Sequence, residues 1–230
     1  ELNLDITRVH TLCYSLCVSY VVWEDGLPLE SDTLHLTPHQ PVTYTFHSPL
    51  THPPRVLVAL QTLRIASLSA LSLRTNNITP TSVEVVCEGS FTSVAVGILV
   101  VPSELETAAN PTHLILRSGE VFRPTLDATT PCVETLTVPP SPHLPFAAAF
   151  LTGFALGAQD LRVKCQTEPA DTTHVNVALE TWCDTRLADV SCAWLVVVRT
   201  DPSVGPSPQT PPPTLLTFHQ PLLTPPEHPE

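Results

Sequence analysis

Seven cysteines, Cys13, Cys17, Cys87, Cys132, Cys165, Cys183 and Cys192, have the widest chemical reach of any side chains in this 230-residue sequence. Thiols ligate metals, act as nucleophiles or form disulfides, and their spacing discriminates among these roles. No pair is spaced C-x-x-C and no cysteine–histidine group has finger-type spacing, which argues against zinc. Disulfides in an oxidising compartment are therefore preferred over buried thiols, and all seven are candidates. The odd count leaves at least one cysteine unpaired or bonded to another chain. Cys13 and Cys17 share one face of a strand about 13 Å apart at roughly 3.3 Å per residue, too far to bond to each other. Cys183 and Cys192 fall on one hairpin whose turn at 184–187 sets Cys183 opposite a residue near 188, so they are not expected to pair.

Other reactive groups carry weaker signals. Asn77-Ile78-Thr79 is a glycosylation sequon, with Pro80 immediately after it working against modification. No G-x-S-x-G, H-E-x-x-H, P-loop or G-x-G-x-x-G occurs, so no enzyme and no cofactor are expected. The ten histidines are scattered and several adjoin proline ("TPHQP", "THPP", "PSPHLP"), which is loop composition and not a ligand set. The acidic pairs Glu104/Glu106 and Glu24/Asp25 sit in connectors, where solvated surface is the expected role.

The net charge of −12 comes from few cations, with Lys164 the only lysine, and this excludes nucleic acid and disfavours an anionic membrane surface. No stretch is long enough to span a bilayer. The most apolar, "LPFAAAFLTGFALGA" (144–158), fits a buried helix in isolation, but its neighbours alternate with period two and argue for strand. The sequence starts without methionine or a signal peptide, as expected of a mature product or a segment of a longer protein.

Twenty-six prolines against seven glycines make long helices improbable. "VTYTF" (42–46), "RVLVALQTLRI" (55–65), "TSVEVVCEG" (81–89), "FTSVAVGILVV" (91–101), "LRVKCQT" (161–167), "HVNVALETW" (174–182) and "DVSCAWLVVV" (189–198) read as strands. "LRIASLSALSLR" (63–74) reads as two strands and a turn despite its helical spacing. This pattern predicts an all-β sandwich.

Internal repetition organises these strands. "YSLCVSYVV" (14–22), "FTSVAVGIL" (91–99) and "ADVSCAWLV" (188–196) share alternating apolar positions at offsets of 77 and 97 residues, the size of a domain. "YTFHSPLTHPPR" (44–55) returns as "LTFHQPLLTPPE" (216–227). Between units, "DPSVGPSPQTPPPT" (201–214) predicts an extended spacer whose Ser, Thr and Pro invite O-glycosylation.

"TFHSPLTHPPRVLVALQTL", "RSGEV" (117–121), "QDLRV" (159–163) and "ETWCDTRLADVSCAWLVV" (180–197) together resemble the H-type lectins, the snail-agglutinin and discoidin C-terminal family. The family pattern is F-x-x-P-x-x-x-P-P-x-V, an NLRV-like strand, then TW-x-(N/D)-T-x-(V/L)-Y. The resemblance implies tandem six-stranded antiparallel β-sandwiches joined by Pro-rich linkers. Residues 1–23 would close a preceding unit, 24–102 and 111–200 would be complete units, and 201–230 would be a linker with the start of another.

The family binds galactose-type sugars in shallow sites between protomers, by ring stacking and polar contacts to the hydroxyls. Carried over residue by residue, the resemblance makes Arg162, Trp182 and Cys183 (where the family has His) the candidate carbohydrate site, with Ala188 replacing a Tyr. The partial first unit keeps that Tyr as Tyr14 but has Arg8 in place of Trp, and the middle unit has Ala70, Ser90 and Phe91. The plainer alternatives are that Trp182 is a sandwich residue and that Arg162 pairs with Asp160 or a nearby Glu. The expected function is a structural or adhesive segment of an extracellular glycoprotein, assembling with neighbouring copies or other chains. The alternative is an active lectin array that binds galactose or N-acetylgalactosamine glycans, with strength from multivalency.

Overall fold

The structure is a computed structural model that describes residues 27–64, 70–106, 114–156 and 161–200, together with the backbone of 16–17 and 217–218. Cys13 and Tyr14 lie outside the described residues, as does the side chain of Cys17. Every strand pairing is antiparallel, and among the described residues the only helical element is a 3-10 turn at Ser103–Glu106. The all-β expectation holds.

In chain order the strands are β1 (Leu16–Cys17), β2 (Glu30–Leu36), β3 (Val42–Thr45), β4 (Arg55–Arg64), β5 (Ala70–Asn76), β6 (Ser82–Gly89) and β7 (Ser93–Val101). They continue as β8 (Leu114–Arg123), β9 (Leu126–Asp127), β10 (Cys132–Thr137), β11 (Phe146–Leu156), β12 (Lys164–Pro169), β13 (His174–Glu180), β14 (Arg186–Arg199) and β15 (Thr217–Phe218). Within the apolar stretch at 144–158, Phe146–Leu156 is thus a strand and not a helix. β1 pairs with β15, which joins the two ends of the chain in a two-stranded ladder.

One pairing order occurs twice. Strands β2-β7-β4 and β3-β6-β5 are matched by β8-β14-β11 and β10-β13-β12. The registers match as well. Val42 pairs Val85 and Leu73 pairs Cys87, while Glu134 pairs Val177 and Cys165 pairs Leu179, every position displaced by 92 residues. Both β4 and β11 carry a bulge at the corresponding place, between Leu60 and Thr62 and between Leu151 and Gly153.

The two halves are not beads on a string. β5 also pairs with β11, through Ala70–Ala155, Leu71–Phe154 and Ser72–Gly153. The sheet therefore runs β3-β6-β5-β11-β14-β8, with β9 beside β14. Alternation along β7 sends Val94, Val96, Ile98 and Val100 into one core with Val83, Val85 and Leu71. Its opposite face places Val101 against Leu116, Ala193 and Leu195, with Leu57 of β4 beside it. The three-stranded sheet β2-β7-β4 is thereby held between the two arms of the longer sheet, which folds back on itself at the β5–β11 joint. Phe154 is wholly buried at that joint and belongs to the same core cluster as Leu71 and Val190, its neighbours on either side.

No disulfide joins any of the five described cysteines, where the cysteine count had led to the expectation of bridges among Cys87, Cys132, Cys165, Cys183 and Cys192. For one pair the register gives the reason. Cys132 and Cys165 both stand opposite Leu179, on its two sides, so two strand spacings of about 4.8 Å separate them. That is beyond the span of a disulfide. Cys192 on β14 comes near Cys165 and Cys132 and is free, Cys87 is buried in the other half, and Cys183 is exposed on a turn. Arg123 Nε donates to Cys132 Sγ at 2.5 Å. Burial pushes the Cys87 and Cys192 thiols up to about 12, so both stay protonated and inert at neutral pH. Iodoacetamide on the folded chain is expected to label Cys183 readily and to reach Cys87 and Cys192 only after denaturant is added, as read by peptide mass spectrometry.

Candidate functional site

The residues singled out on β12–β14 meet at one turn. β13 ends at Glu180 and β14 begins at Arg186, and the intervening chain turns through Cys183, which adopts the left-handed conformation (φ 61°). Non-glycine residues rarely hold that conformation without local support. Here the Thr185 N–H donates to the Trp182 carbonyl at 3.4 Å, and the Thr181 hydroxyl donates to the Arg162 carbonyl. Both threonines are buried.

Arg162 lies against this turn. Its Nη1 donates to Asp184 Oδ1 at 2.5 Å and to Thr185 Oγ1 at 3.1 Å. The arginine side chain is only 17% exposed while Asp184 is 72% exposed, so the pair anchors the turn more than it stabilises the fold. Trp182 keeps 37% of its surface in solvent, more than any other described aromatic residue except Phe122. Arg162, Trp182 and Cys183 are thus brought together, and Arg162 pairs with Asp184; the anticipated Asp160 lies outside the described residues.

This geometry alters the chemistry available. The guanidinium is already engaged inside the turn, so the groups offered to a ligand are the Trp182 ring and the Asp184 carboxylate. A tryptophan face beside a carboxylate suits a sugar, which stacks its apolar face and donates hydroxyls to the acid. Asp184 was not singled out from sequence, although it occupies the (N/D) position of TW-x-(N/D)-T.

The corresponding place in the first half is filled differently. Ala70, the counterpart of Arg162, pairs with Ala155 of β11, and its carbonyl accepts the Ser90 N–H at 3.2 Å. Phe91 is buried. Gly89, the counterpart of Thr181, has φ +136°, and a Cβ there would lie 2.2 Å from the Ala70 carbonyl oxygen. The first half thus uses this corner as a joint to β11.

The remaining candidates have structural partners. Asn77 is exposed on the β5–β6 turn with φ 49°, and its Nδ2 donates to Glu84 at 2.7 Å. Glu104 accepts from the Thr51 hydroxyl, which holds its carboxyl below the usual range, and Glu106 pairs with Arg55 at 3.2 Å. Among the described residues no group of three or more His, Cys, Asp or Glu is placed to hold a metal, and no helix is long and apolar enough to cross a membrane.

No family model, no curated protein and no solved structure matches this chain. What stands is the class: an all-β protein of antiparallel sheets with β-sandwich-like packing.

Proposed function

We propose that the chain is a structural or adhesive segment of an extracellular glycoprotein, built from tandem H-type-lectin-like units whose sugar sites have been partly given over to assembly. One observation carries this reading most. The same six-strand pairing order occurs at 30–101 and at 114–199, with one register shared by β3-β6-β5 and β10-β13-β12, and the units are fused through the first unit's counterpart of the candidate sugar site. A joint that buries this corner keeps the fold and gives up the ligand. Exposure of the Asn77 sequon is compatible with passage through a secretory pathway.

The alternative, an active carbohydrate-binding array, is favoured by the exposed Trp182 beside Asp184 in the second unit. A glycan array probed with the intact chain and with Trp182→Ala separates the two. The structural reading predicts no galactose- or N-acetylgalactosamine-dependent binding by either protein. Binding by the wild type that Trp182→Ala lowers by about tenfold or more would establish the lectin reading, since stacking on an aromatic face supplies about 1.5 kcal/mol.

A further inference from the structure

Asn77 is the one asparagine of the chain in an N-x-[ST] tripeptide without a central proline, since Asn110-Pro111-Thr112 carries the excluded residue. The structure puts Asn77 on the turn between β5 and β6, exposed and left-handed at φ 49°. Asparagine tolerates that conformation better than most residues, so the turn alone accounts for its presence. Its surroundings say more. Val83 and Val85 are buried on β6, so Glu84 between them faces outward, opposite the exposed Thr43 on one side and Asn76 on the other. Asn77 Nδ2 donates to Glu84 at 2.7 Å across this polar outer row. A side-chain amide has two N–H groups, so the bond uses one and leaves the other replaceable. A sugar on Nδ2 keeps the Glu84 bond and lies against polar, exposed groups.

The rest of the tripeptide is committed to the fold. Ile78 packs on the core. Thr79 Oγ1 accepts the N–H groups of Thr81 at 3.2 Å and Ser82 at 3.0 Å, and the Thr79 N–H donates to the Ser82 carbonyl at 2.8 Å. The next two carbonyls, of Pro80 and Thr81, accept the N–H groups of Leu50 at 2.8 Å and Phe46 at 2.9 Å. The acceptor amide is thus open to solvent while the threonine that defines the tripeptide is locked inside its own turn. An enzyme that must read this threonine can do so only before the turn closes.

We propose that Asn77 carries an N-linked glycan, added before the β5–β6 hairpin closes. The donor is a lipid-linked oligosaccharide diphosphate. The bond from Asn77 Nδ2 to the sugar C1 forms as the C1–O bond to the diphosphate breaks. The diphosphate leaves with the bonding electron pair, and one Nδ2 proton passes to a base of the transferase. Pro80 follows the tripeptide and slows this step against folding, so a fraction of chains carries the glycan. The second unit has no equivalent. Glu168 pairs Asn176 as Asn76 pairs Glu84, which makes Pro169 the counterpart of Asn77. One bulky, solubilising group therefore marks one unit of the pair, at the turn end of its β3-β6-β5 sheet.

The inference rests on the extracellular reading, yet a supplied secretion leader brings the chain to the transferase whichever way that reading falls, so the two fail separately. The intact chain behind a cleavable leader is expressed in a secreting eukaryotic culture, and the secreted protein is treated with peptide-N-glycosidase in oxygen-18 water. Two gel bands that differ by one glycan are expected to merge into the lower one. Peptide mass spectrometry should then find labelled aspartate in place of Asn77. Asn77→Gly, which suits the left-handed turn, should give only the lower band. If that variant is not secreted, the label on the wild-type chain still decides. The timing is read on unglycosylated, folded chain added to microsomes that hold transferase and donor. It should stay unmodified, while a peptide of residues 74–82 is modified. A secreted wild-type chain without glycan, a glycan that leaves Asn77 unlabelled, or a folded chain modified as fast as the peptide would overturn the proposal.

Discussion

Replacing Phe154 by alanine is expected to destabilise the chain by about 3–5 kcal/mol, the cost of deleting a fully buried phenylalanine that cannot be replaced by local collapse. Three features place Phe154 at the upper part of that range. It has no solvent exposure, it sits between Leu71 and Val190 in one sheet, and it links the cores of the two halves. A cavity there opens on two sandwiches at once, so neither can close it without moving the other. Urea denaturation followed by far-UV circular dichroism and by intrinsic fluorescence measures the loss. The account predicts that both probes shift to lower urea together. A shift confined to one of two separate transitions would mean that the joint does not couple the halves.

Gly89→Ala is expected to act at the same joint from the backbone side. At φ +136° an L side chain is strained, which alone costs about 1–3 kcal/mol. The new Cβ would meet the Ala70 carbonyl oxygen at 2.2 Å and Leu71 Cα at 3.0 Å. Both obstacles are main chain, so no rotamer relieves them, and β5 must shift from its place between β6 and β11. The combined effect should exceed that of Gly153→Ala, whose Cβ would meet Leu71 O at 2.9 Å and the mobile-ended Ser191 hydroxyl at 2.7 Å. Comparing denaturation midpoints of the two variants checks the order. A Gly89→Ala protein as stable as wild type would show that β5 does not run where the register places it.

The strands that were legible in the sequence are those with two unlike faces. β6 alternates intermediate and buried positions along "SVEVVCEG", and β7 and β14 carry valine and leucine to both cores. β2 and β10 were missed. "ESDTLHL" and "CVETLT" lie at sheet edges, with few buried positions and polar residues between them, so their hydrophobic period is faint. The segment 161–167 was expected as strand, but β12 starts three residues later, where Arg162 turns its bonds to the 181–185 turn instead of to a ladder. The β5–β11 joint had no local signature beyond two glycines, since it pairs residues distant in sequence. The candidate site was half legible. Arg162 and Trp182 were marked by the family resemblance, whereas Asp184 became visible only when the turn brought it onto the guanidinium.

The β5–β11 joint is the feature that couples the two halves of the fold. Amide hydrogen exchange, read by mass spectrometry on the wild-type chain, tests it most directly. The account predicts that amides of 70–72 and 153–155 exchange as slowly as the central strands β6 and β14, and that Phe154→Ala releases both segments together. Exchange of either segment within seconds in the wild type, while β6 and β14 stay protected, would contradict it.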